Sequence, residues 1–292
     1  MSEEGGNNVN ISSKQLKRRF RNYLPHLPGD LLRIFIMLIV IFPFYWMIVS
    51  SFKTYNDSIS VPPTLWPKVF TVDAYDMVIR KMNWLLYAKN SVVVTLSTIA
   101  LQLIIMVPAA YAFAKYQFYA DKILFGIVLI AFMVPSQITF ITVYMTMAKA
   151  KLLTTLWPQI IPFGANAFGI FMLRQSFKQI SNEIVESARL DAASEFKIMI
   201  RIMLPMTKSA MLTIALFTFI GTWNAYFWPL VMTTTDNVRP LTIGIEKLKD
   251  VDMGYNWPAI MAGNTLLVLP VLVFYFFASK QIMTAFTYSG VK

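Results

Sequence analysis

The sequence of 292 residues contains no cysteine, and its only histidine is His26. Disulfides, thiolate metal sites and cysteine nucleophiles are therefore excluded, and a zinc site or a histidine base is not expected. A GxxxxGK[ST] phosphate-binding motif is also missing, so the chain is not expected to be an ATPase. Acidic residues number only 15, and the apolar segments contain almost none. An intramembrane enzyme would need a convergent set of such groups, so this class is not expected either.

Apolar residues, in contrast, make up 57% of the chain and give a mean hydropathy of +0.55. They occur in blocks of about 20 residues, and an α-helix of that length spans a hydrocarbon core about 30 Å thick. The blocks mostly lack the polar face of a helix at the surface of a soluble protein. The sequence therefore predicts an all-α, multi-pass membrane protein.

The net charge of +11 is concentrated partly in one basic run directly before the first apolar block. Such a run is typical of a cytoplasmic segment that sets membrane orientation. Because no recognition motif accompanies it, nucleic-acid binding is not expected. The first apolar block is too long for a cleavable signal peptide. The run consists of Lys14, Lys17, Arg18, Arg19 and Arg21.

Six apolar segments follow a polar, basic tail of residues 1–28, and residues 29–292 form one predicted membrane domain. Six spans place both chain ends in the cytoplasm. Two connections are long: a cytoplasmic one that includes residues 180–205 and an external one of about 233–258. The predicted spans are 31–51, 90–114, 123–144, 156–173, 210–232 and 259–278.

The long cytoplasmic connection carries the pattern of a helix–turn–helix. Ser181 and Ser194 are suited to cap two short helices, and Pro205 ends the pattern just before the fifth span. Ile184, Ala188 and Ala192 recur every four residues and predict a narrow apolar stripe of mostly small side chains. The residues alone leave two interpretations open. The element is either a rigid receiver of force from a partner or an amphipathic loop that rests on the lipid surface.

The spacing within this connection resembles the coupling motif of permease subunits in ATP-binding-cassette importers. That motif reads Glu-Ala-Ala, two residues, Asp-Gly-Ala, and then Ile-x-Leu-Pro. Ser187 replaces one alanine, and Ala192 replaces the glycine of the turn. If the turn requires positive φ, alanine costs about 1 kcal/mol there, so the break is expected to shift or the helix to continue. The matching residues are Glu186, Ala188, Asp191, Ala193, Ile202, Leu204 and Pro205.

Further pieces extend the resemblance over nearly everything after residue 30. Together they resemble the carbohydrate branch of these importers, specifically the smaller permease of maltose-type transporters. Each piece is short, and their order along the chain makes the set specific. They are Pro43 with Trp46, 50–53 (SSFK), 66–67 (WP), 90–91 (NS), 110–115 (AYAFAK), 133–135 (MVP), 222–224 (TWN) and 289–292 (SGVK).

The resemblance implies the type I importer permease fold and a set of partners. These are a second homologous permease, two cytoplasmic ATPase subunits that bind ATP and Mg²⁺, and an extracytoplasmic solute-binding protein. No cofactor is expected in this chain, whose implied location is a bacterial or archaeal cytoplasmic membrane. In the coupling motif, Glu186 and Asp191 would be acidic contacts to the ATPase, and Ala188 and Ala192 would form a close-packed face. Phe196 and Leu204 would anchor the element, and Pro205 would mark its exit.

The external connection corresponds, by the same resemblance, to the loop that reaches into the binding protein. Its candidate contacts are Arg239, Pro240, Leu241 and Thr242. The alternative is a merely solvated loop.

Candidate pathway residues are polar or amphipathic groups within or near the spans. Hydroxyl hydrogen bonding and aromatic stacking suit a sugar, although polar residues in membrane bundles also simply join helices. The partner permease is another possible location of the principal site. The candidates are Gln137, Asn166, Trp223, Asn224, Tyr226 and Asn264.

The solute and the class of protein each retain an alternative. The solute is expected to be a di- or oligosaccharide, and a glycerol phosphate or another polyol-type solute is the alternative. A passive channel or membrane scaffold would account for the spans but not for the ordered coupling motif.

Overall fold

The computed structural model describes residues 27–250 and 254–287, and side chains up to residue 276 with the exception of 250–253. The predicted tail, apart from residues 27 and 28, therefore lies outside the described residues, as does 289–292. The described chain is almost entirely helical. Its only strands, β1 (Lys249–Asp250) and β2 (Gly254–Tyr255), form a short antiparallel pair.

Three helices are each long and apolar enough to cross a membrane. These are α1 (Leu27–Ser51), α4 (Trp84–Lys115) and α13 (Trp257–Thr287). At 1.5 Å per residue the 32-residue α4 is about 48 Å long, so it extends beyond a hydrocarbon core of about 30 Å. The remaining helices are α2 (Tyr55–Ser58), α3 (Asp73–Lys81), α5 (Asp121–Met133), α6 (Ser136–Lys149), α7 (Ala167–Gln179), α8 (Asn182–Leu190), α9 (Glu195–Met206), α10 (Lys208–Trp223), α11 (Phe227–Met232) and α12 (Leu241–Glu246).

The other predicted spans are present in order but are not single helices. In the third predicted span, α5 and α6 meet at an angle of 97°. Just before the fifth predicted span, α9 and α10 meet at an angle of 80°. The fourth consists of two 3₁₀ turns, Trp157–Gln159 and Ile161–Phe163, followed by α7. In the described residues, length and composition support three spans, or up to five if each bent pair is one span. The fourth predicted span, in which Pro158 and Pro162 interrupt the apolar sequence, is therefore broken rather than one continuous helix.

Prolines account for several of these breaks. Pro135 precedes α6, and Pro158 and Pro162 are the second residues of the two 3₁₀ turns. Proline has no N–H to donate to the preceding turn and disfavours helical φ and ψ in the residue before it. Pro43 and Pro108, in contrast, lie inside long helices.

The buried residues form two clusters at opposite ends of α4. The first joins the C-terminal half of α4 to α7, α9 and α10, and it includes Met106, Leu173, Phe177 and Met203. The second joins the N-terminal end of α4 to α3, α10, α12 and α13. Helix α1 contributes little to either, because its apolar side chains are mostly exposed. The first cluster thus connects the membrane helices to the helix–turn–helix region.

Candidate functional site

Helices α8 and α9 form the predicted helix–turn–helix. The Ser181 hydroxyl oxygen accepts a hydrogen bond from the Glu183 N–H at 3.2 Å. Ser194 caps α9 in the same way by accepting from the Lys197 N–H at 3.4 Å. Each serine satisfies a backbone donor that has no partner within its own helix.

The turn between these helices has the Schellman arrangement with alanine in the left-handed position. Ala192 has φ of 55°. Its N–H donates to the Arg189 carbonyl, and the Ala193 N–H donates to the Ala188 carbonyl, both at 3.0 Å. These are the two bonds of a Schellman C-cap. The expected shift of the break or extension of the helix is therefore wrong, because the turn keeps its place and alanine adopts the strained conformation.

The buried face of the helix pair differs from the predicted stripe. Val185 and Ala188 are buried in α8, whereas Ile184 and Ala192 are exposed. The turn orients α8 so that positions three residues apart, rather than four, meet the core. Within the described chain, Ala188 and Ala192 therefore do not share a packed face.

Phe196 and Leu204, the two anchors implied by the resemblance, lie in different environments in α9. Phe196 is 71% exposed, so it does not anchor the element within this chain. Leu204 is half-buried and packs against the first core cluster. A π-helical turn, Met199–Met203, precedes Pro205. Thr207 then closes the helix by donating to the Met203 carbonyl at 3.1 Å. This succession of turns produces the sharp bend from α9 into α10.

An ion pair missed in the sequence holds the two helices together. Arg189 Nε donates to Glu195 Oε1 at 2.7 Å, and the Tyr111 hydroxyl donates to Glu195 Oε2 at 2.6 Å. The hydrogen bond from Arg189 holds the pKa of the Glu195 carboxyl at about 2, well below its ordinary value of 4.5. The carboxylate therefore stays ionised at neutral pH. Tyr111 lies 84 residues before Glu195, so no local pattern could indicate this contact.

Two basic residues reinforce the connection between α4, α7 and the helix pair. Lys115 Nζ donates to the Ile180 carbonyl at 2.7 Å and to Asn182 Oδ1 at 2.8 Å. Arg174 donates to the Phe113 carbonyl at 3.1 Å. A cation at the C-terminal end of a helix also interacts favourably with the helix dipole. Side-chain hydrogen bonds thus hold the start of the helix pair against the C-terminal end of α4.

The outer surface of the helix pair is both apolar and acidic. Leu190 is 88% exposed at the turn, close in sequence to the exposed Glu186 and Asp191. In the described part of the chain, neither carboxylate of Glu186 and Asp191 has a hydrogen bond or an ion pair. Exposed apolar side chains beside unpaired acids are suited to a protein partner with an apolar, basic cleft.

The external connection is folded into the bundle rather than solvated. Pro240 and Leu241 are buried, and Leu241 N–H donates to Ser91 Oγ at 2.8 Å. Thr242 donates its hydroxyl to the Ala225 carbonyl at 2.7 Å, and Arg239 pairs with Asp236. The four candidate contacts therefore serve packing within this chain. The exposed residues of this connection, within its described part, are 234–237, Lys247, Gly254, Tyr255 and Trp257.

A cavity of about 290 Å³, lined by both apolar and polar side chains, lies between α4, the 3₁₀ turns and α10. We call it the inner cavity. Gln102 is fixed there, because its amide donates to the Phe163 carbonyl at 2.8 Å and accepts from the Thr218 hydroxyl at 2.6 Å. It is defined by Ser91, Gln102, Gln159, Asn166, Thr222 and Trp228.

A second cavity, of about 270 Å³, shares Phe163, Ala225 and Trp228 with the first. We call it the aromatic cavity. The ring centroids of Phe140 and Phe227 are 5.1 Å apart, and those of Phe140 and Trp228 are 5.3 Å apart. The shared lining residues make the two cavities neighbours at the break between α10 and α11.

The candidate pathway residues divide between these cavities and other positions. Asn166 lines the inner cavity, and Gln137 and Tyr226 line the aromatic cavity. Trp223 is buried and donates to the Leu267 carbonyl at 3.0 Å. Asn224 donates to the Ile220 carbonyl of its own helix. Neither these two nor Asn264 is among the described residues that line either cavity.

One face of α4 carries buried polar residues that were not predicted as pathway residues. Ser91, Thr95, Thr98 and Gln102 are each at most 4% exposed. Their spacing of four, three and four residues places them on one helix face. That spacing is visible in the sequence and could have identified the face. Ser91 and Gln102 are the two that line the inner cavity.

Residues 105–282, more than half of the chain, match the family described as binding-protein-dependent transport system inner membrane component. Relatives align over nearly their whole length. The arabinooligosaccharides transport system permease protein AraQ of Halalkalibacterium halodurans is 27% identical over 88% of this chain and 93% of its own. The diacetylchitobiose uptake system permease protein DasC of Streptomyces coelicolor is 26% identical over 87% and 92%. The sn-glycerol-3-phosphate transport system permease protein UgpE of Brucella abortus is 28% identical over 85% and 91%.

The fold also matches a solved structure. A chain in the crystal structure of a bacterial ABC transporter involved in the import of the acidic polysaccharide alginate superposes with a TM-score of 0.79. The alignment covers 90% of this chain and 97% of that one, at 24% sequence identity. The architecture of broken and continuous helices is therefore that of a known permease fold.

Proposed function

The chain belongs to the family of binding-protein-dependent transport system inner membrane components, and from this we propose that it is a permease subunit of an ATP-driven oligosaccharide importer. It is a membrane-embedded transport subunit, in agreement with its apolar helices. The single observation that carries the coupling role is the helix pair α8–α9. This pair is held against α4 by Tyr111, Arg189 and Glu195 and leaves Leu190 and Phe196 exposed.

In this proposal, the exposed surface of the helix pair docks in a cleft of a separate ATPase subunit. Leu190 and Phe196 would enter the cleft, and Glu186 and Asp191 would meet basic groups at its rim. The ATPase binds ATP and Mg²⁺, and this chain holds no cofactor. Closure of the ATPase would move α8 and α9 as one unit and thereby pull on α4 and α10, to which they are joined.

The remaining partners follow from the exposed surfaces. A second homologous permease and lipid would cover the apolar residues around the α5–α6 bend, of which Met133 is 79% exposed and Ile138 is 73% exposed. Two ATPase subunits would bind below, one to each permease. An extracytoplasmic solute-binding protein would meet residues 234–237. Both chain ends would then lie in the cytoplasm of a bacterium or archaeon.

A neutral sugar fits the cavities better than the alternative, a glycerol phosphate. Among the described residues that line the two cavities, none is ionisable except Tyr226. Aromatic faces with neutral hydrogen-bonding groups suit sugar rings, whereas a phosphate dianion needs cationic partners when it leaves water. Two of the relatives are named for oligosaccharides and one for a glycerol phosphate.

Replacing Glu186 with lysine tests the coupling role. The substitution introduces a like charge opposite a basic cleft, so it should abolish ATPase co-purification or binding-protein-stimulated ATP hydrolysis. Glu183→Lys is the matched control, because Glu183 is an equally exposed acid of α8 outside the coupling motif. The control should retain both signals.

If Glu186→Lys binds the ATPase and is stimulated as fully as the unaltered chain, α8–α9 is not the docking element. A passive channel or scaffold would then account better for the apolar helices.

A further inference from the structure

The inner cavity contains a buried acceptor without a donor. Gln159 is 3% exposed, and its amide N–H₂ donates to the Val238 carbonyl at 2.9 Å. Its Oε1 atom has no hydrogen-bond partner in the described chain, although the same side chain lines the cavity. A buried acceptor without a donor is energetically unfavourable, so this position is suited to receive an O–H or N–H donor from a bound molecule.

Further polar groups of the cavity wall come from different segments. Thr222 of α10 lines the cavity and is half-buried. Asn166 Oδ1 accepts a hydrogen bond from the Gly169 N–H at 3.1 Å. The amide N–H₂ of Asn166 is therefore the group that can donate to a ligand. Gln102 and Thr218 are fixed by each other. The wall thus presents donors and acceptors together, which is the requirement for binding hydroxyl groups.

Aromatic groups complete the wall. Trp228 and Phe163 are in edge-to-face contact, with ring centroids 5.1 Å apart. Trp228 is held by its indole N–H, which donates to the Pro158 carbonyl at 2.8 Å. A fixed aromatic surface beside neutral hydrogen-bonding groups matches a sugar ring, which has apolar C–H faces and a rim of hydroxyls. The volume of about 290 Å³ is at the lower end of ligand pockets and suits one ring rather than several.

We propose that the inner cavity of this subunit is itself a saccharide site. It binds one neutral sugar ring of the transported oligosaccharide, and a hydroxyl of that ring donates a hydrogen bond to Gln159 Oε1. This rests on the proposed function and adds that this chain, and not only its partner permease, contacts the solute. None of the described lining residues of the cavity carries a charge, so the site selects against phosphorylated or carboxylated solutes.

Gly221 offers a way to fill part of the cavity without altering its polar groups. Gly221 lines the cavity, and a Cβ atom built on it would meet nothing within 4 Å. Leucine is a strong helix former, so we expect α10 to accept it there and its side chain to occupy part of the cavity. Gly126 of α5 has the same open surroundings but does not line either cavity. Gly126→Leu is thus the matched control.

The experiment measures equilibrium binding of radiolabelled sugars to the complete, nucleotide-free transporter in lipid nanodiscs without the binding protein. The probes are arabinotriose, maltotriose and diacetylchitobiose, with sn-glycerol 3-phosphate as competitor. We expect saturable binding of at least one sugar and no competition by the phosphate. Gly221→Leu should weaken that binding by at least about tenfold, and Gly126→Leu should leave it unchanged. Gln159→Met should also weaken it, because the acceptor is lost.

Wild-type affinity in Gly221→Leu would overturn the inference and mean that the cavity holds only water. Absence of saturable sugar binding in the unaltered transporter would also overturn it. In both cases, uptake of a sugar by the same transporter would leave the proposed function intact. Uptake of sn-glycerol 3-phosphate instead of any sugar would overturn the choice of substrate in both proposals.

Discussion

Ala192 shows how one residue departs from its motif without altering the fold. The turn requires a left-handed residue, and alanine adopts φ of 55° there. The Schellman hydrogen bonds around it are all formed. The surrounding helices therefore determine the conformation, and alanine bears the strain. The sequence indicated a steric cost for alanine in this turn, and we expected the chain to avoid it, which it does not.

Ala192→Gly should stabilise the protein by about 1 kcal/mol, because glycine adopts positive φ without steric cost. The measurement is the midpoint of thermal unfolding of the purified transporter. Ala193→Gly is the control, since Ala193 is not a positive-φ residue and should gain nothing from glycine. An unchanged or lower midpoint for Ala192→Gly would contradict the assigned turn.

Glu195 links the helix pair to α4 through contacts with Arg189 and Tyr111. Glu195→Gln removes the ion pair with Arg189, which is partly exposed and contributes up to about 1 kcal/mol. Tyr111→Phe removes a hydrogen bond of about the same strength. Because both act on one carboxylate, the double variant should lose less thermal stability than the sum of the single variants. Strict additivity would show that the contacts are independent.

The pH dependence of this attachment follows from the depressed pKa of Glu195. The carboxyl has a pKa of about 2 in the folded chain and 4.5 ordinarily, so its contribution is complete above about pH 4.5. It decreases as the pH falls toward about 2. Thermal stability of Glu195→Gln should therefore be lower than that of the unaltered chain at neutral pH, and the difference should shrink in acid.

Some helices and helix caps were predicted from the sequence, and other features of the helices were not. Residues 31–51 and 90–114 were recognised as spans by their apolar composition, and α1 and α4 enclose them. The caps at Ser181 and Ser194 were also predicted, because capping depends on local chemistry. The 97° bend between α5 and α6 and the buried position of α12 were not predicted. The bend coincides with Pro135, a local signal that could have indicated it. The burial of α12 depends on packing against distant segments, which leaves no periodic signal in the sequence.

The buried position of α12 changes the test of the external connection. Deletion of residues 233–258 would remove Leu241 and Ile245 from the second core cluster, so loss of folding would obscure the result. Thr235→Arg together with Asn237→Arg changes only exposed side chains. This variant should keep its ATPase and lose stimulation by the binding protein. Full stimulation would place the binding-protein contact elsewhere.

Several exposed surfaces of the molecule are of the kind that lipid or partner subunits would cover. Its apolar helices α1, α5 and α6 expose large side chains that lipid or a second permease would cover. The two cavities lie at the break between α10 and α11, and the acidic, apolar helix pair is connected to them through α10. Under the proposed function, α10 would join a solute site to a docking site, as coupling to an external energy source requires.

Because the chain contains no cysteine, a single introduced thiol reports contacts without background. Leu190→Cys places a thiol at the tip of the helix pair, and Val61→Cys places a similarly exposed one in the connection between the first and second predicted spans. The decisive measurement is cross-linking of each variant to the co-expressed ATPase in membranes. We predict a cross-link from position 190 and none from position 61. Absence of a cross-link at 190, with the ATPase still bound to the transporter, would contradict the coupling role of α8 and α9.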